Sequence, residues 1–164
     1  MVNFFDKSDL TRKDVDEIVS DTLKNCDDGE LYFEDSVSES IVLDDNKIKS
    51  SNYSCDLGFG FRAVSDEVVA YSHSNEISKD SLKNSAKSLK STLKSIKGTY
   101  NHEIPKTNNK FYDAINPIEQ KSLDGKLEVL NKVNDYLRKK DSTVKQVTTS
   151  FSGEQKSIEL MRSA

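Results

Sequence analysis

The sequence predicts an α+β fold: a helix, an antiparallel β-meander and a second helix, followed by the start of a further α/β unit. Three observations carry this. Residues 11–26 place their apolar side chains on one helical face. Residues 31–72 break into short apolar runs separated by polar turns. Residues 79–97 return to a helical period. Of the 164 residues, 34% are hydrophobic and 32% are charged. That is polar for a globular chain, but the clustering of the apolar residues marks it as folded around a thin core.

The first helix is expected from Thr11 to Cys26. Thr11 and Asp14 form a capping pattern, and Asp14, Asp16 and Glu17 sit where the helix dipole favours anions. Val15, Ile18, Val19, Leu23 and Cys26 make its apolar face, and Asp27-Asp28-Gly29 is expected to end it. In the first strand Leu31, Phe33 and Val37 point one way, and Tyr32, Glu34 and Ser36 the other. Ser40–Leu43 and Lys47–Ser51 read as two strands around the turn Asp44-Asp45-Asn46. Leu57–Val64 is the best strand, with Leu57, Phe59, Phe61 and Ala63 alternating. Ser65-Asp66-Glu67 then turns the chain into Val68–Ser72.

Ser78 is the expected N-cap of a helix over Lys79–Lys97. Leu82, Ala86, Leu89, Leu93 and Ile96 form one face, and each is followed by a lysine, giving a basic stripe about 100° round the helix. Gly98 suits its end. Thr99–Lys121 carries Pro105, Pro117 and several asparagines without any period, so it reads as a linker. Leu123–Lys140 is a helix with Asp124 in its first turn, Arg138, Lys139 and Lys140 in its last, and Leu123, Leu127, Leu130 and Leu137 on its buried face. Thr143–Phe151 and Lys156–Met161 read as a hairpin around Ser152-Gly153-Glu154. The organisation expected is a domain over residues 1–98, a linker over 99–122, and over 123–164 the beginning of a second domain that is too small to bury its own core.

Net charge is −4, unevenly spread. Residues 1–77 hold 7 basic and 18 acidic groups, whereas residues 78–98 hold 6 lysines and one acid. The acidic front half argues against a nucleic-acid partner. Cys26 and Cys55 have neither zinc nor disulfide-framework spacing, and two free thiols suit the cytoplasm. No apolar h-region opens the chain and no run approaches a membrane span, so neither a signal peptide nor a membrane partner is expected.

Few residues are candidates for chemistry. His102-Glu103 lacks a second histidine at helical spacing, and Pro105 would break such a helix. His73 lies at a strand end among serines, with no evident base–nucleophile pair. No catalytic or metal-binding residue is therefore assigned. Gly58-Phe59-Gly60 lacks the third glycine and following helix of a nucleotide loop. On a strand, Gly58, Gly60 and Arg62 share one face. Close packing is the simpler explanation of such glycines. The alternative is a groove approached by a peptide or neighbouring backbone, with Arg62 pairing to a carboxylate. The lysine stripe is read as a solvated flank.

Read in order, ELYFED, IVLDDNKIK, LGFGFRAVSD, VAYSHSNEIS and the segment INPIEQKSLDGKLEVLNKVNDYLRKKDSTVKQV resemble the N-terminal portion of the TldD/PmbA family of metalloproteases, and its TldD-like members in particular. The resemblance implies an α/β first domain and a zinc-dependent peptidase acting on extended or unfolded peptides. It also implies a cytoplasmic heterodimer with a TldE (PmbA)-like subunit, or self-association. The family's H-E-x-x-x-H motif lies beyond the matched region, so this stretch would be scaffold, partner contact or a wall of the substrate chamber, and would bind no zinc itself. A rival reading is a non-enzymatic binding or regulatory module, such as an inactive TldE-like subunit. Asp66-Glu67-Val68 stands where many relatives have glycine in the turn.

Overall fold

The computed structural model describes residues 4–6, 8–93 and 115–162. The elements are α1 (Arg12–Leu23), β1 (Asp28–Asp44), β2 (Lys47–Ser65), β3 (Val68–Ser74), α2 (Lys79–Thr92), α3 (Leu123–Lys140) and β4 (Thr148–Met161). The strands form one four-stranded sheet in the order β3-β2-β1-β4, giving an α+β fold. Asp45 and Asn46 both take left-handed backbone angles, φ 47° and 62°. This is the two-residue type I′ geometry whose twist suits an antiparallel hairpin. β2 and β3 pair antiparallel from Ser65↔Val68 to Phe59↔Ser74. β4 runs antiparallel to β1: the Thr148 hydroxyl donates to Asp44, while Arg162 donates to Glu30.

The chain divides into two compact units, each drawn from separated segments. Unit 1 takes the described residues of 1–35, 56–112 and 157–164, and unit 2 those of 36–55 and 113–156.

In unit 1, α1 begins at a reciprocal capping box. The Thr11 hydroxyl accepts from the Asp14 amide, and the Asp14 carboxylate accepts from the Thr11 amide. Val15, Val19 and Leu23 of α1 and Leu82, Ala86 and Leu89 of α2 are buried against Leu31, Phe33, Phe59, Phe61, Ala63 and Ala70. Each large apolar side chain removed from water here contributes roughly 1.5–3 kcal/mol. Phe33 is the hub of an aromatic cluster, with ring centroids 5.6 Å from Phe4, 5.6 Å from Phe5 and 6.0 Å from Phe59. Lys79 holds Asp14 at 2.6 Å and Lys90 pairs with Asp21, so two lysines of α2 are tied to α1. Of the basic stripe, Lys83 and Lys87 are exposed, and Lys94 and Lys97 lie outside the described residues. Cys26 is buried and Cys55, in unit 2, is exposed; both are free thiols.

In unit 2, Ile41, Leu43 and Leu130 form a small core, with Leu127 and Phe151 packed on it. Lys126 is buried, its side chain 4% exposed, and pairs with Glu39 of β1. The same ammonium donates to the Ile118 carbonyl at 2.8 Å and lies 5.6 Å from the Phe151 ring centre.

The structure departs from the sequence expectations at several points. α1 stops at Leu23 and Asp28 already belongs to β1. The separate strands read over 31–51 and 57–64 are two long ones, because polar stretches without apolar alternation stay extended. Ser36 is buried and Val37 only half so, since burial along β1 loses its alternation at Glu34–Asp35. Leu57 is exposed although it alternates with Phe59 and Phe61. The hairpin at Ser152-Gly153-Glu154 is one strand: no described glycine has a positive φ, so the turn chemistry of Gly153 goes unused. On α3, Lys126, Leu130 and Asn134 are buried, whereas Leu123 and Leu137, at its two ends, are 47% and 40% exposed. Within the expected linker Ile118 is buried, its amide held by the Asn116 side chain.

Candidate functional site

Phe59, Phe61 and Ala63 turn to the helix side of unit 1, so the intervening Gly58, Gly60 and Arg62 face the other way. The two glycines differ in what they accommodate. A Cβ on Gly58 would lie 2.7 Å from the Ser74 carbonyl oxygen, a backbone atom. One on Gly60 would lie 2.6 Å from the Tyr71 hydroxyl and 3.2 Å from its ring. Tyr71 therefore lies across Gly60, as aromatic side chains cover glycines on neighbouring strands.

Arg62 is engaged within the chain. Its Nη2 lies 2.5 Å from Asp28 Oδ2 and its Nε 3.2 Å from Glu30 Oε1, while Arg162 reaches the other Glu30 oxygen at 3.0 Å. Burial disfavours the guanidinium charge, but the hydrogen bonds to Asp28 and Glu30 outweigh it, and the Arg62 pKa is raised. Burial likewise opposes ionisation of Asp28, and the bond to Arg62 more than reverses it, so this carboxyl lies below its ordinary range.

Above the glycines is an open depression of about 240 Å³, lined among others by Tyr32, Glu34, Asp56, Gly58, Gly60, Tyr71, His73 and Asn75. Tyr71 and His73 stack with ring centres 5.9 Å apart at 25°. Tyr71 is 64% exposed despite its size. The Tyr32 hydroxyl donates to Glu34. Burial, then that carboxylate, push the Tyr32 pKa up to about 12, so the phenol stays protonated at neutral pH and remains a donor.

Gly58 and Gly60 are thus brought together on one floor, and Arg62 is not among the lining residues. Tyr32, Glu34, Tyr71 and His73 escaped the sequence reading as a group. Tyr32 and Glu34 share a strand face, a visible signal, but joining them to Tyr71 and His73 needs the strand register, such as Gly60↔His73. His73 is on β3, stacked on Tyr71. His102 and Glu103 lie outside the described residues. Among the described residues no three His, Cys, Asp or Glu side chains converge as metal ligands, and no helix is long and apolar enough to cross a membrane.

Residues 29–93 match the family model described as PmbA/TldA metallopeptidase domain 1. Two relatives align over almost the whole chain. A protein named metalloprotease TldD homolog from Buchnera aphidicola subsp. Schizaphis graminum is 34% identical over 154 residues, covering 93% of this chain and 32% of the relative. Another of that name, from the Acyrthosiphon pisum subspecies, is 34% identical over 136 residues, covering 82% of the chain and 28% of its own length. The chain belongs, through this region, to the TldD/PmbA family. It spans about a third of the length of these TldD homologues. Solved structures agree on the fold. A proposed modulator of a DNA gyrase from Thermotoga maritima superposes with a TM-score of 0.66 at 14% identity, over 93% of this chain and 35% of that one. TldE from Thermococcus kodakarensis superposes at 0.61 and 14% identity, over 92% and 35%.

Proposed function

We propose that this chain is the leading, non-catalytic region of a TldD-like zinc peptidase that cleaves extended or unfolded peptides in the cytoplasm. Residues 1–98 serve in this reading as its first domain, 99–122 as a linker, and 123–164 as the beginning of a central domain. The observation that carries the proposal is the colinear match of 154 residues to a TldD homologue, with the first-domain model falling on 29–93. Zinc is the metal that the family implies, but the donors described here do not fit it. No set of three ligands converges among them, and His73 is stacked on Tyr71. No hydrolytic step is assigned to this region. Its part is to form scaffold, subunit contact and one wall of the peptide chamber, with a TldE-like subunit or a second copy as partner.

A longer product carrying these residues, co-purified with its partner subunit, tests the reading. Peptidase activity that disappears on chelation and returns with zinc is expected. A longer product without H-E-x-x-x-H would favour the second reading, an inactive TldE-like binding subunit, which the likeness to TldE supports at the level of fold.

A further inference from the structure

The outer edge of β3 is the feature of unit 1 that the scaffold role leaves unexplained. β3 ends the sheet on one side and β4 on the other. The turn into β3 has two residues, Asp66 and Glu67, between the paired Ser65 and Val68. In such a hairpin the closing pair is hydrogen-bonded and every second residue follows it, so Val68, Ala70, Ser72 and Ser74 direct their backbone groups to β2. Those of Val69, Tyr71 and His73 point away from the sheet, and among the described residues no backbone hydrogen bond takes them up. Proteins guard such edges with charge or proline. β4 carries Glu154, Lys156 and Glu159, whereas β3, Val-Val-Ala-Tyr-Ser-His-Ser, has no carboxylate, lysine, arginine or proline. Val69 and Tyr71 are 59% and 64% exposed. A second observation lies on the helix packed over this strand. Ser81, Ser85, Ser88 and Thr92 share one flank of α2, and the Ser72 hydroxyl of β3 donates to Ser85 at 3.0 Å, which places that flank on the β3 side. Lys79 and Lys90 point instead to Asp14 and Asp21 of α1, and Lys83 and Lys87 are exposed on the side away from the serines.

We propose that β3 pairs antiparallel with β3 of a second copy of this chain, about a two-fold axis at Tyr71, so that two sheets become one. Tyr71 is the central residue of the seven in β3. The axis sets it beside the partner's Tyr71, and sets Val69 beside the partner's His73. Every outward backbone group then meets one of the opposite kind, giving about six hydrogen bonds between the copies. The exposed side chains gain cross-strand neighbours. A neutral strand centred on one residue complements itself, with no like charges opposed. Glu67 and Glu76 lie just beyond its ends and confine the pairing to β3. The two α2 helices come to the same side of the joined sheet, where their small serine flanks allow close approach. A bare extended peptide would leave those flanks uncovered, which favours a second copy. The inference rests on the reading of this region as a subunit contact, and adds the strand that makes it.

One strand edge and one helix flank make a small interface, below about 1,200 Å², so a reversible dimer is expected. Sedimentation equilibrium of the full chain, at concentrations up to about 0.5 mM to reach weak contacts, should show monomer and dimer in exchange. Tyr71→Lys sets two ammonium groups beside the axis and should weaken the dimer about tenfold or more. Val69→Pro removes an outward N–H without touching the bonds to β2, and is the second variant should Tyr71→Lys lose its dispersed NMR spectrum. In a Cys55→Ser background, Tyr71→Cys should form an intermolecular disulfide on mild oxidation, because facing residues lie about 5.5 Å apart at Cα. Lys83→Cys in the same background should form it far more slowly. A chain monomeric throughout, a dimer unchanged by the edge variants, or equal crosslinking through Lys83→Cys would each overturn the pairing. So would a monomer whose Val69, Tyr71 and His73 amides shift saturably with an added extended peptide, which would assign the edge to peptide. The readouts are mass and crosslinking, without catalysis. A monomer beside an active longer peptidase removes only this contact, and a dimer beside an inactive product leaves the contact standing without the protease.

Discussion

Gly58 and Gly60 are separated by one residue but should respond differently to a methyl group. At Gly58 the methyl meets the Ser74 carbonyl of the backbone, which cannot swing aside. Gly58→Ala is therefore expected to cost about 1–3 kcal/mol by overpacking. At Gly60 it meets the Tyr71 hydroxyl, the far end of a rotatable side chain, so Gly60→Ala should cost less than Gly58→Ala in urea denaturation. Asp14 gives a second residue-scale expectation. The hydrogen bond from Lys79, then those from the side chain and backbone of Thr11, lower its pKa to about 2. Because the folded value is depressed, the stabilisation is present above the unfolded pKa of about 3.9 and is lost as pH falls through the folded value near 2. Carboxyl NMR titration should give a midpoint near 2, and Lys79→Met should move it upward; an unmoved midpoint would show that Lys79 is not the cause. The face shared by Gly58, Gly60 and Arg62 was legible from period two alone. That Arg62 would be held by Asp28 and Glu30 was not, because nothing in the sequence states which strand lies beside which.

At the scale of elements, helix starts were the most legible features. Thr11 and Ser78 act as the N-caps expected of them, because a cap is a contact over three residues and sequence shows it directly; α3 starts at Leu123 as read, on a Ser122 cap that was not singled out. Strand ends were least legible. Ser50–Cys55 carries polar side chains on both faces, leaving no alternation to read, yet the strand runs through it. Asp66 supports its tight turn with φ 55°, a conformation that glycine adopts freely and aspartate tolerates. On α3 the unforeseen feature is Lys126, on the inward face because Glu39, 11% exposed, and the Ile118 carbonyl receive its charge. Lys126→Met leaves that carboxylate unpaired and is expected to destabilise by about 3–5 kcal/mol. Lys126→Met combined with Glu39→Leu should recover more than half of the loss. A double variant no better than the single one would argue against the pairing.

For the whole molecule, the core of unit 1 carries the largest expected single effect. Phe33→Ala removes a fully buried ring that touches three others, and should cost about 3–5 kcal/mol. A loss below about 1 kcal/mol in thermal or urea unfolding would contradict its central position. The acidic balance of residues 1–77 likewise predicts no retention of duplex DNA in a mobility-shift assay at physiological salt. The α+β class followed from patterning spread along the chain, as did the family relationship. The division into units built from separated segments did not, because β1, β2 and β4 each run from one unit into the other.

Access to sulfur differs sharply between the two thiols. Cys26 is enclosed and burial pushes its pKa up, which makes it a poor nucleophile, while Cys55 is open to solvent on β2. A maleimide dye added to the native chain should therefore attach at Cys55 first, providing a fluorescent reporter on unit 2 without any mutation.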